Sequence, residues 1–190
     1  AGADVVGVDN NPAQLGPAAA TPAAANEAYV MAAGERLPFP DMTFDAVVIF
    51  NALHHIPPEA QETALIEAAR VLRPGGHAYI AEPLAEGANF ELTRPVDDET
   101  EVRALAYLAL RAAVAKGVFR EERETVYVHP VLAESFEAFA ARMVRVDPGR
   151  KPAIARHESE LRERFRRLGR PTPAGMIFDQ PMRVNLLAKP

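Results

Sequence analysis

The double proline Pro57-Pro58 and the triplet Pro74-Gly75-Gly76 bracket one stretch of chain, and this bracket constrains the fold more than any other feature of the sequence. Proline is at home in the first turn of a helix, where its missing N–H is not needed. At the far end it cannot continue the ladder, and glycine there takes up the left-handed turn. Between the two signals Ala64, Leu65, Ala68 and Leu72 recur at the spacing of one buried stripe, which predicts an amphipathic helix. Short apolar runs flank it, Ala46 to Phe50 before and His77 to Ala81 after. Earlier, Val5 to Val8 runs into Asp9-Asn10-Asn11, and Ala28 to Met31 forms another run. The order strand, connection, strand, strand, helix, strand describes an α/β domain with a mostly parallel sheet. Pro12, Pro17 and Pro22 predict an irregular connection over 12–26, with at most a turn or two of helix.

Beyond Leu84 the pattern turns helical and stays so to about Arg170, long for an ordinary crossover. Asp98 with Glu101 resembles a capping box, followed by a face of Val102, Leu105, Ala109 and Ala112 that ends at Gly117. Ser135 is placed to cap a helix carrying Phe136, Phe139, Ala140 and Met143 on one side, and a third helix over 158–168 turns Leu161, Phe165 and Leu168 inward. Met176 to Phe178 and Arg183 to Ala188, separated by Asp179-Gln180-Pro181, predict two paired strands. One domain over 1–190 is expected, with 84–170 a helical, lid-like insertion within it.

Composition removes several classes. With no cysteine there is no thiolate metal site, iron–sulfur cluster or cysteine nucleophile. A net charge of -5 gives no general attraction for nucleic acid or anionic lipid. No run is long and apolar enough to span a membrane, so a cytoplasmic protein is expected. Glu158 with Arg162, Glu160 with Arg164 and Glu163 with Arg167 stand at helical spacing, and the basic run at 162–167 reads as a solvated face. Hydrolase and phosphoryl-transfer readings fail for want of a Gly-x-Ser-x-Gly elbow or a Gly-x-x-x-x-Gly-Lys loop. A nicotinamide dehydrogenase shares the sheet, but no tyrosine here is followed four residues later by lysine.

In open α/β sheets, ligands sit beyond the carboxyl ends of the strands, which directs attention to the residues that follow each run. Asp9 is one: a carboxylate there can accept from both hydroxyls of a cofactor ribose, and it can equally cap a turn. Three longer segments are more distinctive. Gly34-Glu35-Arg36-Leu37-Pro38-Phe39-Pro40-Asp41-Met42-Thr43-Phe44-Asp45 precedes one strand, Asn51-Ala52-Leu53-His54-His55-Ile56 follows it, and Ala69-Arg70-Val71-Leu72-Arg73-Pro74-Gly75-Gly76 closes the helix.

In this order the three segments resemble class I S-adenosylmethionine (SAM) dependent methyltransferases of the small-molecule type, especially the ubiquinone and menaquinone biosynthesis group. The resemblance covers Val5 to about Pro83 well and the last strands loosely. It implies a Rossmann-like sheet with an antiparallel last strand, SAM as cofactor and a small-molecule methyl acceptor. It also implies that Asp9 and Asn10 hold the ribose, that the Gly34-Glu35 backbone edges the adenine, and that Asn51 lies beside the methionine part. His54 and His55 would stand at the transfer crevice, where they and Glu82 are the candidate bases. No metal is expected, because the sequence offers no spaced histidines or clustered carboxylates.

The family's first strand and glycine-rich loop belong before Asp9, and Asp4 to Asp9 reads as a strand already under way. The expectation is a domain lacking that strand, binding SAM weakly or not at all, transferring no methyl group, and prone to self-association through an exposed strand edge. The alternative is a methyltransferase fold serving as a non-catalytic binding or scaffold protein.

Overall fold

A computed structural model describes residues 2–190. Strands β1 (Asp4–Asp9) and β2 (Asn26–Met31) pair in parallel, from Asp4 opposite Asn26 to Asp9 opposite Met31. Helix α1 (Pro12–Ala20) connects them and is longer than the expected turn or two. Its prolines explain why it survives. Pro12 lies in the first turn, Asn11 caps that turn by accepting from the Ala13 N–H at 2.9 Å, and Pro17 comes late enough to remove only one ladder bond.

Strand β3 (Phe44–Phe50) leads through a 3-10 turn (Leu53–His55) into α2 (Pro58–Val71) and then β4 (Leu72–Pro83). β3 and β4 are parallel, with Ala46 opposite His77 and Phe50 opposite Ala81. Helices α3 (Gly87–Thr93) and α4 (Thr100–Ala115) follow, then β5 (Arg120–Ala133). Helices α5 (Phe136–Val146), α6 (Lys151–Arg156) and α7 (Glu158–Leu168) come next, and the short β6 (Arg170–Thr172) hairpins onto the last strand, β7 (Gly175–Ala188). The main sheet has the order β3-β4-β7-β5 with β6 beside β7, and every ladder of β7 is antiparallel. Among the described residues β1 and β2 form a separate two-stranded sheet.

Two expectations are corrected. The segment 84–170 is not helical throughout, since β5 crosses it with fourteen residues. The first half of β5, Arg120-Glu121-Glu122-Arg123-Glu124, hides its alternation under charge, which an edge strand tolerates because one side faces solvent. The chain end is likewise one continuous strand rather than two paired ones. Pro181 fits within it because β4 stops at Pro83 opposite Met182, so the N–H that Pro181 lacks has no ladder partner to meet. The Pro181 carbonyl, on that same side, accepts from Leu84 N–H at 2.9 Å.

The register locates the helices. Past Pro83, residues 128–133 of β5 and 175–181 of β7 continue as a two-stranded ribbon beyond the carboxyl end of β4. This ribbon carries a second core: Leu92 of α3, Phe136, Phe139 and Met143 of α5, Ile154 of α6, and Leu161 and Phe165 of α7 close around Phe178. Gly87 fastens α3 to β7. Its φ of +90° and its close approach, with an added Cβ only 2.4 Å from Pro181 Cδ, exclude any other residue. The first core lies between the sheet and α2 and α4, where Leu65, Ala68, Ile80, Ala106, Leu110 and Leu187 meet. The buried stripe of α4 is Ala106, Leu110 and Ala113, one position on from the expected face. Its run Ala104-Leu105-Ala106-Tyr107-Leu108-Ala109-Leu110 is apolar nearly all round, so periodicity alone does not choose the side. No helix among the described residues is long and apolar enough to cross a membrane.

Candidate active site at the strand ends

The three distinctive segments are tied together by side chains of α2. Arg70 donates to the carbonyls of Leu37 at 3.1 Å and Phe39 at 2.8 Å and to Asp41 at 2.8 Å, while Glu67 accepts from Leu37 N–H at 3.0 Å and from Arg70. Arg73 pairs with Asp45. The loop 34–41 is therefore clamped to the helix that follows the histidines. Gly34 lies in a turn closed by Arg36 N–H on Ala33 C=O, and a Cβ there would stand 3.0 Å from Ile56 Cδ1. The adenine-edge candidates Gly34 and Glu35 thus sit against the end of the histidine segment.

Asp9 ends β1. One carboxylate oxygen accepts from Asn11 N–H at 2.7 Å, and no hydrogen bond engages the other among the described residues. Asn10 is exposed beside it. Asn51 follows β3 in the left-handed region, φ 52°, with its N–H on Ala81 C=O at 2.8 Å and its side chain in no hydrogen bond among the described residues. Asparagine tolerates this conformation, and it turns the chain sharply from the strand into the histidine turn.

Glu82, at the carboxyl end of β4, organises that turn. Its Oε1 accepts from Ala52 N–H at 3.0 Å and Leu53 N–H at 2.9 Å, and its Oε2 contacts His54 Nδ1. Burial opposes the charge, but the His54 bond and the backbone donors outweigh it and hold the carboxyl below its ordinary value. A carboxylate so engaged positions His54. Since a carboxylate only accepts, Nδ1 of His54 carries a proton and Nε2 is the nitrogen left to exchange one.

Buried His54 points Nε2 toward Glu99 Oε1, 3.8 Å away, and Glu99 is held by Arg103. The His55 ring lies 4.0 Å from that of His54, centroid to centroid. His55 is exposed on its outer side; desolvation of the inner side, then the neighbouring His54, lower its proton affinity below the ordinary histidine value. Asp97, paired with Arg150, is raised by burial and by Glu99. Glu99, Asp97, Arg103 and Arg150 went unrecognised as site residues in the sequence. The available signal was the spacing of Glu99 and Arg103 at i,i+4, just inside the capping signature read at Asp98.

His54, His55 and Glu99 bring one ligand-type atom each to within 4.8 Å of one another. Sequence spacing gave no sign of this grouping, because Glu99 arrives from a distant part of the chain.

Residues 1–80 match the family of methyltransferase domains. The fold agrees with that match, since solved methyltransferase structures share it over nearly the whole chain. Among characterised proteins the chain is similar to the ubiquinone/menaquinone biosynthesis C-methyltransferase UbiE of Marinomonas sp. (strain MWYL1), 32% identical over 105 residues that make up 55% of this chain and 40% of that protein. The same enzyme of Cronobacter sakazakii (strain ATCC BAA-894) is 33% identical with the same coverage. The chain thus spans about 40% of the length of these relatives. In fold it is similar to the YcgJ protein of Bacillus subtilis (TM-score 0.59, 19% identity, 97% of this chain and 81% of that one). It is also similar to the [4+2]-cyclase SpnF (TM-score 0.58, 19% identity, 97% and 65%).

Proposed function

We propose that this protein transfers a methyl group from SAM to a small-molecule acceptor in the cytoplasm. The observation that carries the reading is the convergence of Asn51, His54, His55 and Glu82 at the carboxyl ends of two parallel strands, in a chain that matches methyltransferase domains over 1–80. The residues present suit the cofactor: Asp9 has an unengaged carboxylate oxygen for ribose hydroxyls, and the turn at Gly34-Glu35 offers backbone to the adenine. Asn10 and Asn51 complete this set.

When bound, SAM supplies a methyl group already activated on a sulfonium, so the protein's work is alignment and exclusion of water. His55 is neutral near pH 7 and accepts a proton from an acceptor hydroxyl or acidic carbon. His54, fixed by Glu82, presents Nε2 beside it. The helices on the ribbon of β5 and β7 act as a lid over the strand ends, keeping bulk water from the crevice. A base suffices here, and no step runs through a metal.

Ultraviolet cross-linking of methyl-labelled SAM reads even weak occupancy. Labelling is expected in the wild-type chain and should fall at least tenfold in a folded Asp9→Ala variant, the loss of about one charge-assisted hydrogen bond of 1.5–3 kcal/mol. Equal labelling of both, or none in the wild type, would overturn the assignment. Labelling without methyl transfer to any quinol or phenol tested would favour the binding-protein alternative.

A further inference from the structure

A cavity of about 310 Å³ opens between α4, the carboxyl end of β4 and the middle of β7. Leu53, Leu84, Ala106, Tyr107 and Leu110 make its apolar walls, and Glu82, Arg103, Arg183 and Asn185 bring polar groups to it. Leu53 and Glu82 also build the histidine turn, so cavity and candidate active site share a wall. A volume at the low end for small-molecule sites fits a ligand of one ring or two.

The charged groups at this cavity differ in what they have left to give. Glu82 is taken up by His54 and the backbone N–H groups of the turn. Arg103 donates to Glu99 and to the Leu84 carbonyl at 2.7 Å. Asn185, buried, donates to Glu121 at 3.1 Å and Glu124 at 2.8 Å. Arg183 stands apart. Its guanidinium lies 3.8 Å over the Tyr107 ring, and its nearest carboxylate oxygen, Glu124 Oε1, is 3.6 Å away, beyond hydrogen-bond distance. Its buried Nε has no hydrogen-bond partner among the described residues. Glu124 is already served by Asn185 and by the Tyr107 hydroxyl at 3.0 Å. A guanidinium held over an aromatic ring, ion-paired with Glu124 but making no hydrogen bond among the described residues, at the edge of an apolar cavity is a receptor for a planar anion.

We propose that this cavity is the acceptor subsite and that the acceptor is an aromatic carboxylate, its carboxylate on Arg183 and its ring between Leu53, Leu110 and Tyr107. This rests on the methyl-transfer reading of the histidine corner. Arg183 lies directly across the β4–β7 ladder from Glu82, so a molecule anchored on it extends toward the turn that carries His54 and His55.

Benzoate and its neutral isostere benzamide are the probes, titrated into the full chain without SAM and followed by calorimetry and amide chemical shifts. Benzoate is expected to bind at least tenfold more tightly than benzamide, the effect of a charge-assisted bidentate contact, with shifts at Leu53, Leu84 and Tyr107. Arg183→Met should erase the preference, and Arg183→Lys should keep only part of it, since lysine retains the charge but not the fork. Equal affinity for the two probes in the wild type, benzoate shifts mapping elsewhere, or an undiminished preference in a folded Arg183→Met variant would overturn the proposal. If Arg183→Met does not fold, the wild-type comparison and Arg183→Lys still decide. SAM cross-linking separates the two readings. Labelling with no benzoate preference removes only the carboxylate subsite, whereas a benzoate preference with no labelling removes methyl transfer and with it the acceptor role of this cavity.

Discussion

At the scale of single residues, the histidine turn depends on one carboxylate. Glu82 holds the backbone of Ala52 and Leu53 and the ring of His54 at once. Glu82→Ala leaves those donors unpaired in a mostly buried place and should cost about 2–3 kcal/mol in urea unfolding; Glu82→Gln, which keeps a carbonyl acceptor, should cost less. A loss under about 0.5 kcal/mol for the alanine variant would remove the anchoring role. The same residues set the acid limit of stability. His55 is lowered in the folded state, so below its ordinary value of 6.5 the unfolded chain takes up a proton that the folded chain refuses, and stability falls with decreasing pH. Glu82 is also lowered, so its contribution is fully present above its ordinary 4.5 and is lost as pH falls through the folded value. Melting temperature against pH should therefore decline in two stages. His55→Asn should remove the one that begins near 6.5, and an unchanged profile in that variant would contradict the assignment.

At the scale of elements, the loop 34–41 owes its shape to α2. Nothing in the loop pairs its own carbonyls at Leu37 and Phe39; Arg70 does. Arg70→Ala should cost about 1–2 kcal/mol, since the guanidinium is partly exposed, and should speed hydrogen exchange at Leu37 and Met42 far more than in the second core around Phe178. Uniform acceleration across both would mean global destabilisation instead of a released loop. This coupling also explains why the segments resemble a family as a set: the arginine near the end of the helix and the proline-rich loop before β3 form one contact.

At the scale of the whole molecule, the most conspicuous property is unsatisfied edge. Among the described residues β3 pairs only with β4, and β1 only with β2. Val48 and Phe50 on β3 are 65% and 52% exposed. An unpaired strand edge bearing apolar side chains templates pairing with another chain. Concentration-dependent association is expected in sedimentation velocity at micromolar protein, and Val48→Lys should reduce it. A monomer at all concentrations would show that these edges do not drive self-association.

The sequence by itself determined the elements whose signals are local. Paired prolines open α2, which ends at Val71 ahead of the Pro-Gly-Gly triplet that β4 takes in with Leu72; Ser135 caps α5 at Ala138 N–H, and Ala64, Leu65 and Ala68 of α2, Phe136, Phe139 and Met143 of α5 and Leu161 and Phe165 of α7 are buried as their spacing requires. Asp9, Asn51, His54, His55 and Glu82 drew attention in the sequence because each stands at or just past the end of a strand, where ligands gather in such sheets. Tertiary structure alone decided the rest. β5 needed β7 beside it before its charged half could lie in a sheet, and β7 runs through Pro181 because β4 ends just short of it. α4 chose its buried side by what the sheet offered. Glu99 and Arg103 reach the histidine turn from far along the chain. Proximity between residues remote in sequence depends on how elements pack, and no local pattern of residue types carries that information.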